Sequence, residues 1–404
     1  MIDLTDQLEK GSPDSPPSSA PRIVLAHDWL VGLRGGEWVL DQIALAIKQL
    51  NPAPPHLYTM FDTGAPITER IDAMPKTLSP LNSTPPALRR WLLMRYPSAV
   101  QSLTKSLHAD HATNPINLLI STSSAKIKSL AAPAGVPHLC YCHCPARYLF
   151  SQSDQYATRG IKGAARGLGL RVFGRSLRKY DTSTTDRVTE FIANSTHTQS
   201  QIREHYSRDS IVIHPPVRTD FFIHDPSVAR TEDLLLVSAL EPYKRVDLAI
   251  DAAMIAYRPL NIVGSGSHEK TLRAHAKRAA RKHPHSKPIT FLGRINDEQL
   301  RDQYRRSAAF LFPQIEDFGI TAVEAQACGC PVIARNAGGA LDSVIDQHTG
   351  ILFNEPTAES MTDAIEKVPA GADTASACRT NAERFSAQVF RDSMLTIVMK
   401  MLKS

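Results

Sequence analysis

Two glutamates, Glu316 and Glu324, stand on either side of a glycine-bearing turn. The turn contains Phe318-Gly319-Ile320, and the apolar residues that follow it suit a helix. Glu316 is therefore predicted to lie in a loop and Glu324 inside the helix. The backbone N–H groups of the turn would lie at the start of that helix, where a phosphate binds well.

Carboxylates on both sides of an anion-binding turn indicate a particular kind of ligand. Ionised carboxylates accept charge-assisted hydrogen bonds from hydroxyl groups. A molecule with sugar hydroxyls on both sides of its phosphates would satisfy Glu316, the turn and Glu324 together. No pair of carboxylates is evident at the spacing of a glycosidase, so a double-displacement hydrolase is disfavoured.

A pair of cations, Lys244 and Arg245, follows a predicted strand and precedes a predicted helix. Cations near a helix start are mildly unfavourable, and an anion bound there would offset that cost. The chain has no Asp-x-Asp motif, which disfavours a divalent metal bound to a diphosphate. Cations and helix N–H groups would then have to stabilise a leaving diphosphate.

A cluster of cysteines around His143 allows two interpretations. Strand alternation places Cys140, Cys142 and Cys144 on one face and His143 on the other, and no second pair at zinc spacing completes four ligands. The cysteines are therefore interpreted as small buried apolar residues rather than as a metal site. His143 is the last polar residue before a strand-ending proline, so structural and functional roles are weighed equally for it.

The elements that position these residues form two series of alternating strands and helices. The first series opens with an apolar strand, the pair Gly35-Gly36 and a helix, and the second follows Pro215-Pro216. Such repetition predicts parallel, doubly wound sheets, which bind ligands at the carboxyl ends of their strands. The spacing at Gly35-Gly36 is not G-x-G-x-x-G, so a dinucleotide fingerprint is absent. The sequence thus predicts an α/β protein with two Rossmann-like halves and a cleft between them.

The length of 404 residues also favours two domains. We predict a disordered tail over residues 1–21, a first domain over 22–215 and a second domain over 216–386. A last helix, at about 387–404, is expected to return to the first domain. The net charge of +6 and a pI near 9.0 indicate an anionic partner, although no nucleic-acid-binding module is recognised.

Two stretches that mix cations with large apolar residues, 88–96 and 159–179, leave a membrane contact open. The stretch 159–179 suits a peripheral element on an anionic membrane or, equally, a solvated helix with one apolar stripe. No signal peptide is recognised, and no apolar run approaches the roughly 20 residues that span a bilayer. We therefore expect a cytoplasmic protein, with peripheral contact at the inner membrane face left open.

Several runs together carry a resemblance to a known family. They are YCHCPARYLF (141–150), FIANS (191–195), IHPPV (213–217), YKRVDLAIDA (243–252), FLGR (291–294) and EDFGITAVEAQACGCPVIA (316–334). With them the chain resembles the retaining glycosyltransferases of the GT-B fold, family four. It looks most like the WbaZ-type mannosyltransferases of bacterial O-antigen and exopolysaccharide assembly.

The resemblance implies roles for the residues already singled out. Glu316 would bind hydroxyls of the donor sugar, and Glu324 would bind those of the ribose. The backbone of Phe318, Gly319 and Ile320 would contact the diphosphate.

On the same grounds, Gly35 and Gly36 would also contact the diphosphate, and Lys244 would neutralise it as it leaves. His143 would lie near the sugar on the acceptor side. Gly264 and Arg294 would lie near the nucleotide base.

One position departs from the family pattern. Many members have an arginine five residues before the lysine, whereas this chain has Ala239, and we hypothesise that Arg245 substitutes for it. The implied reaction is retaining transfer of a hexose, with GDP-mannose as the favoured donor and a saccharide or lipid-linked saccharide as acceptor. Surface polysaccharide assembly would be its setting, and neither cofactor nor metal is expected. The alternatives are a sugar-nucleotide epimerase of similar shape and a sugar-nucleotide-binding protein without turnover.

Overall fold

The computed structural model describes residues 20–89, 92–150 and 173–403. The predicted disordered tail lies almost wholly outside these residues. Most of the basic stretch 159–179 and the centre of the stretch 88–96 lie outside them too. Within the described residues, no helix is both long enough and apolar enough to cross a membrane.

The first sheet has seven parallel strands in the order β3-β2-β1-β4-β5-β6-β7. They are β1 Ile23–Leu30, β2 Leu57–Asp62, β3 Lys76–Leu78, β4 Leu118–Ser123, β5 His138–Cys142, β6 Glu190–Ala193 and β7 Ile211–Val212. Side chains alternate between two apolar cores, with Leu25 on one face of β1 and Val24 and Ala26 on the other. The near-continuous apolar strands are typical of a parallel sheet covered on both faces.

Helices cover both faces of this sheet. They are α1 Gly35–Ile47, α2 Glu69–Asp72, α3 Pro86–Arg89, α4 Tyr96–Thr113, α5, described over residues 173–183, and α6 Thr196–Tyr206. Ser195 caps α6 by accepting a hydrogen bond from the backbone N–H of Thr198 at 3.0 Å. The strand order reverses beside β1, so the α1 N-terminus lies at the switch point where such sheets bind ligands.

The second sheet has six parallel strands in the order β10-β9-β8-β11-β12-β13. They are β8 Leu234–Val237, β9 Leu260–Val263, β10 Ile289–Gly293, β11 Ala309–Phe312, β12 Val332–Arg335 and β13 Gly350–Phe353. The helices around it are α7 Val246–Ile255, α8 Glu269–Lys282, α9 Asp297–Arg306, α10 Ile320–Ala327, α11 Ala340–Ser343, α12 Ala358–Glu366 and α13 Ala372–Glu383. The two sheets confirm the predicted α/β fold with two doubly wound halves.

The last helix, α14 Ala387–Lys403, packs on the first domain although it follows the second. Its buried Phe390, Met394 and Val398 belong to the same apolar core as α1. Arg391 donates a hydrogen bond to the Gln42 side chain at 2.6 Å, and the ring of Phe390 meets that of Tyr141 edge to face. The chain therefore crosses between the domains twice, once at Pro215-Pro216 and once before α14.

Candidate active site

The loop between β11 and α10 forms the centre of the site. Gly319, its last residue, has a φ of 96°, and a Cβ there would lie 2.5 Å from the ring of Phe312. Both the dihedral angle and the contact require glycine. Helix α10 begins at the next residue, Ile320, so the unpaired N–H groups of its first turn face the loop.

A second pair of glycines, Gly338 and Gly339, packs against the backbone of this loop. The N–H of Gly339 donates to the backbone oxygen of Glu316 at 2.8 Å. A Cβ on Gly339 would lie only 2.2 Å from the Cα of Phe318. This close backbone packing fixes the position of Glu316 relative to the N-terminus of α10.

The structure places Glu316 in this loop, as predicted from its position after β11. Its carboxylate forms an ion pair with Lys244, which ends a short 3₁₀ turn after β8. The side chains of both residues are largely buried, at 12% and 14% exposure. In this state the acid predicted to bind the donor sugar and the cation predicted to bind the diphosphate neutralise each other.

Glu324 lies inside α10 and is buried. The hydroxyl of Tyr304 donates to its carboxyl group at 3.3 Å. Burial raises the pKa of Glu324 to about 7, against the opposing effect of Arg218. The carboxyl group is therefore ionised only above about pH 7, whereas the sequence interpretation took it as ionised throughout.

The N-terminus of α1 meets that of α10 across the cleft. Gly35 and Gly36 are the first two residues of α1. The prediction that they belong to the loop before the helix was therefore wrong. A Cβ on Gly35 would lie 3.1 Å from the Cδ1 atom of Ile320, the first residue of α10. Two helix N-termini, one from each domain, thus present their N–H groups to the same space.

His143 follows β5 and lies beside this junction. A Cβ on Gly36 would be 3.8 Å from its Nε2 atom, which is buried and has no hydrogen-bond partner among the described residues. Burial lowers the pKa of His143 to about 3, with smaller contributions from His27 and Arg147. The imidazole is therefore neutral at physiological pH and can exchange a hydrogen bond with a hydroxyl group.

His27 is a site residue that sequence reasoning missed. A Cβ on Gly36 would lie 3.5 Å from its ring, and its Nδ1 atom is 2.6 Å from the hydroxyl of Thr122. Burial lowers its pKa below 6.5, against the opposing charges of Glu37 and Asp28. Its place near the carboxyl end of β1, beside the glycine pair, was the available signal.

Arg147 was also missed. It follows His143 by four residues in the first domain, and its Nε atom donates to Asp317 of the second domain at 2.8 Å. Its Nη2 atom lies 3.9 Å from the carboxylate of Glu316. Arg147 lies within the run YCHCPARYLF, but no role was predicted for it, because nothing in the sequence shows that the two loops meet.

The remaining predicted residues lie on neighbouring loops at the carboxyl edge of the second sheet. Arg245 has a φ of 50°, and its guanidinium lies 3.4 Å from Asp247. Gly264, with a φ of 130°, packs so closely that a Cβ would lie 1.9 Å from the oxygen of Ser238. The Nε atom of the exposed Arg294 donates a hydrogen bond to the Ser265 hydroxyl at 2.8 Å. Because the order is β10-β9-β8-β11, these loops form one row that ends at Glu316.

The cysteines occupy apolar surroundings. Cys140 and Cys142 pack with Val188, Phe191 and Ile202, and burial raises the pKa of Cys140 to about 12. Within the described ranges, no group of three or more His, Cys, Asp or Glu residues is placed to hold a metal ion.

Comparison with known proteins finds a family match in the second domain. Residues 217–385 match the family described as Glycosyl transferases group 1. D-inositol 3-phosphate glycosyltransferase of Mycobacteroides abscessus is 32% identical over 235 residues, 52% of each chain. Its Gordonia bronchialis counterpart is 29% identical over 268 residues, covering 58% of this chain and 56% of the relative. The chain thus spans little more than half the length of these relatives.

A third relative covers more of the chain. The α-1,3/1,6-mannosyltransferase ALG2 of Dictyostelium discoideum is 25% identical over 308 residues, covering 65% of this chain and 70% of the relative.

Solved structures match almost the whole chain. Anabaena Alr3699/HepE in complex with UDP has a TM-score of 0.68 and 18% identity, covering 93% of this chain and all of that one. Sucrose-phosphate synthase of Thermosynechococcus elongatus has a TM-score of 0.69 and 16% identity, covering 94% and 99%. At such identities the likeness shows the fold alone, which is the GT-B fold of two facing Rossmann-like domains.

Proposed function

We propose that the chain is a retaining hexosyltransferase that uses a sugar nucleotide, because residues 217–385 match the family described as Glycosyl transferases group 1. Its acceptor would be a saccharide or a lipid-linked saccharide in surface polysaccharide assembly. The observation that carries the proposal is the meeting of two helix N-termini across the cleft, at Gly35 and Ile320. That space suits the diphosphate of a sugar nucleotide.

The acidic residues on both sides of this space suit the rest of the donor. Glu316 would accept hydrogen bonds from sugar hydroxyls on one side of the diphosphate. Glu324, which lies in α10, would accept hydrogen bonds from the ribose hydroxyls on the other side. Gly264 and Arg294 continue the row of loops toward the nucleotide base, while His143 faces the sugar from the first domain.

Donor binding would exchange partners within the site. In the structure Lys244 pairs with Glu316, so neither is available to a ligand. Sugar hydroxyls would take over Glu316, and the diphosphate would take over Lys244. Lys244 would then offset part of the negative charge of the diphosphate, and the N–H groups at the two helix starts would offset more of it.

The reaction proposed is front-face transfer with retention. The bond between the anomeric carbon and the phosphate oxygen breaks, and a bond from the acceptor oxygen forms on the same face. The acceptor proton passes to an oxygen of the leaving diphosphate. The protein would orient the reactants and stabilise the charge that develops on the diphosphate, with Lys244 and the helix N–H groups as the stabilising groups.

The donor proposed is GDP-mannose. In support, one relative, ALG2, is a mannosyltransferase, and the sequence resembles the WbaZ type. The protein would act in the cytoplasm, where such donors are made, with its acceptor at the inner face of a membrane.

Thermal-shift measurements with GDP-mannose, UDP-glucose, GDP and UDP would test the donor. We expect stabilisation by GDP-mannose and GDP, and stabilisation by the UDP compounds alone would exclude the mannosyl assignment. Turnover should require an acceptor saccharide. Conversion of the donor without any acceptor would instead identify an epimerase, and binding without turnover under any condition would identify a binding protein.

A further inference from the structure

The charges around Glu316 come from both domains. Two carboxylates, Glu316 and Asp317, face two cations, Lys244 from the second domain and Arg147 from the first. The exposed fractions of these side chains range from 8% for Asp317 to 30% for Arg147. With two cations and two carboxylates, the unliganded cluster is electrically neutral.

The backbone beside Arg147 is packed against the first domain. Arg147 follows the buried Ala146, which packs with Leu149 and Leu177, and the N–H of Leu149 donates to the Ala146 oxygen at 2.8 Å. The turn therefore anchors the backbone while the guanidinium extends across the cleft. Its planar fork can contact two oxygens of a phosphate group at once.

A diphosphate leaving group needs more positive charge than Lys244 provides. The diphosphate gains further negative charge as the sugar departs, and developing charge of this kind is stabilised by preorganised cations. Position 239, at the end of β8, is an alanine, and the neighbouring Arg245 contacts Asp247. Arg147 is the cation whose guanidinium already lies 3.9 Å from Glu316.

We propose that Arg147, supplied from the first domain, is the second cation that binds the diphosphate during transfer. The inference rests on the proposed function, because it assumes a sugar-nucleotide donor. In the unliganded state Arg147 pairs with Asp317, and the donor displaces that carboxylate. Arg147 can reach the leaving group only when the two domains are close, so domain closure completes the charge needed for the chemical step.

Three variants distinguish binding of the diphosphate by Arg147 from a purely structural role of the Arg147–Asp317 ion pair. The probe is whichever of GDP or UDP stabilises the wild-type protein, and its Kd is measured by calorimetry. Arg147→Gln should weaken binding about tenfold and lower kcat roughly 100-fold, while Arg147→Lys should recover part of both. Asp317→Asn breaks the same bridge but frees Arg147, so it should leave the Kd unchanged or lower it.

The matched control is Arg203→Gln, which removes an exposed arginine of the first domain that pairs with Asp209 on the surface. It should behave as the wild type. Equal losses in Arg147→Gln and Asp317→Asn would overturn the proposal, because they would mean that only the bridge matters. Wild-type Kd and kcat in a folded Arg147→Gln variant would overturn it as well. If neither GDP nor UDP binds the wild type, it is the proposed function that fails.

Discussion

At the scale of single residues, Lys244 has to change partners for the proposed reaction to occur. Its ammonium group pairs with Glu316 in the unliganded site and would pair with the diphosphate in the transition state. In the proposed reaction Lys244 leaves Glu316 when the donor binds and then stabilises the diphosphate. Its contribution to turnover should therefore exceed its contribution to folding.

Lys244→Ala should leave a folded protein with a lowered unfolding midpoint, because the largely buried Glu316 carboxylate loses its partner. It should also lower kcat by roughly 100-fold or more. The loss follows from the uncompensated charge on the leaving diphosphate. Steady-state transfer assays and thermal melts measure the two quantities. Lys270→Ala, which removes an exposed lysine from α8, is the control. Near-normal turnover by a folded Lys244→Ala protein would refute the role given to Lys244.

Glu324 gives a prediction about pH. Burial raises the pKa of Glu324 from 4.5 to about 7. The neutral carboxyl group therefore favours the unliganded folded protein relative to the ionised group, and this contribution to stability is complete below about pH 4.5. That stability is lost as the pH rises through 7, because a buried charge must then form. The shift corresponds to about 3 kcal/mol of unfolding free energy.

Glu324→Gln should remove this pH dependence. Denaturant titrations of the unliganded protein should give similar stabilities for variant and wild type near pH 4.5, and a more stable variant at pH 8. The variant should also bind nucleoside diphosphate more weakly at pH 8, because a carboxylate acceptor for the ribose is lost. A constant stability difference between the two proteins across this range would contradict the raised pKa.

Sequence reasoning identified the residues that share one loop more readily than those that meet across the cleft. Glu316, Gly319 and Glu324 belong to one strand–loop–helix unit, so their spacing predicts their placement. Arg147 joins the site through contacts with a distant segment of the second domain, which spacing does not encode. The pKa of Glu324 was also out of reach, because it depends on burial beneath Tyr304 and neighbouring apolar residues.

At the scale of elements, the loop before α10 depends on the glycines that follow β12. Strand and helix positions could be predicted from apolar runs bounded by glycine and proline, as for β11 and α10. The requirement for Gly339 could not, because it arises from backbone atoms 21 residues earlier at Phe318. A sequence shows a glycine pair but not the backbone that it approaches.

Gly339→Ala should displace the loop and weaken nucleoside diphosphate binding at least tenfold. Its Cβ would lie 2.2 Å from the Cα of Phe318 and 2.5 Å from the oxygen of Asp317, and backbone cannot move aside as a flexible side chain can. The cost in stability should be about 1–3 kcal/mol, as for other overpacked sites. Calorimetric titration and thermal melts provide the measurements.

The control is Gly174→Ala in α5, where an added Cβ meets no described atom within 4 Å. Alanine there should be neutral or stabilising, because it favours the helix. Wild-type nucleotide affinity in Gly339→Ala would show that the loop tolerates displacement and does not form the binding site.

At the scale of the whole molecule, the two domains are also bridged by Asp342. Its carboxylate accepts hydrogen bonds from the N–H of Thr196 at 2.7 Å and from the Thr196 hydroxyl, and it lies 3.2 Å from Nε2 of His214. Burial tends to raise the pKa of Asp342, but the bonds from His214 and Thr196 outweigh it and lower the pKa. Asp342 is therefore ionised at neutral pH and holds the N-terminus of α6.

This bridge differs from the Arg147–Asp317 pair in one respect. The donor competes with Asp317 for Arg147, whereas nothing in the proposed reaction competes for Asp342. Loss of the Asp342 bridge should therefore favour the open arrangement in both the free and the bound protein. The donor then meets a protein whose cleft is closed for a smaller fraction of the time. The apparent affinity for the donor falls, although the closed site itself is unchanged.

Asp342→Ala should raise the KM for the donor roughly tenfold, as expected for loss of charge-assisted bonds, and leave kcat at saturating donor within about twofold. Small-angle scattering should show a larger radius of gyration without nucleotide, and added nucleoside diphosphate should reverse the difference. Asp373→Ala, at an exposed position in α13, is the matched control. An Asp342→Ala protein with unchanged KM and unchanged radius would mean that closure depends on the donor-side contacts of Lys244, Arg147 and the two helix N-termini alone.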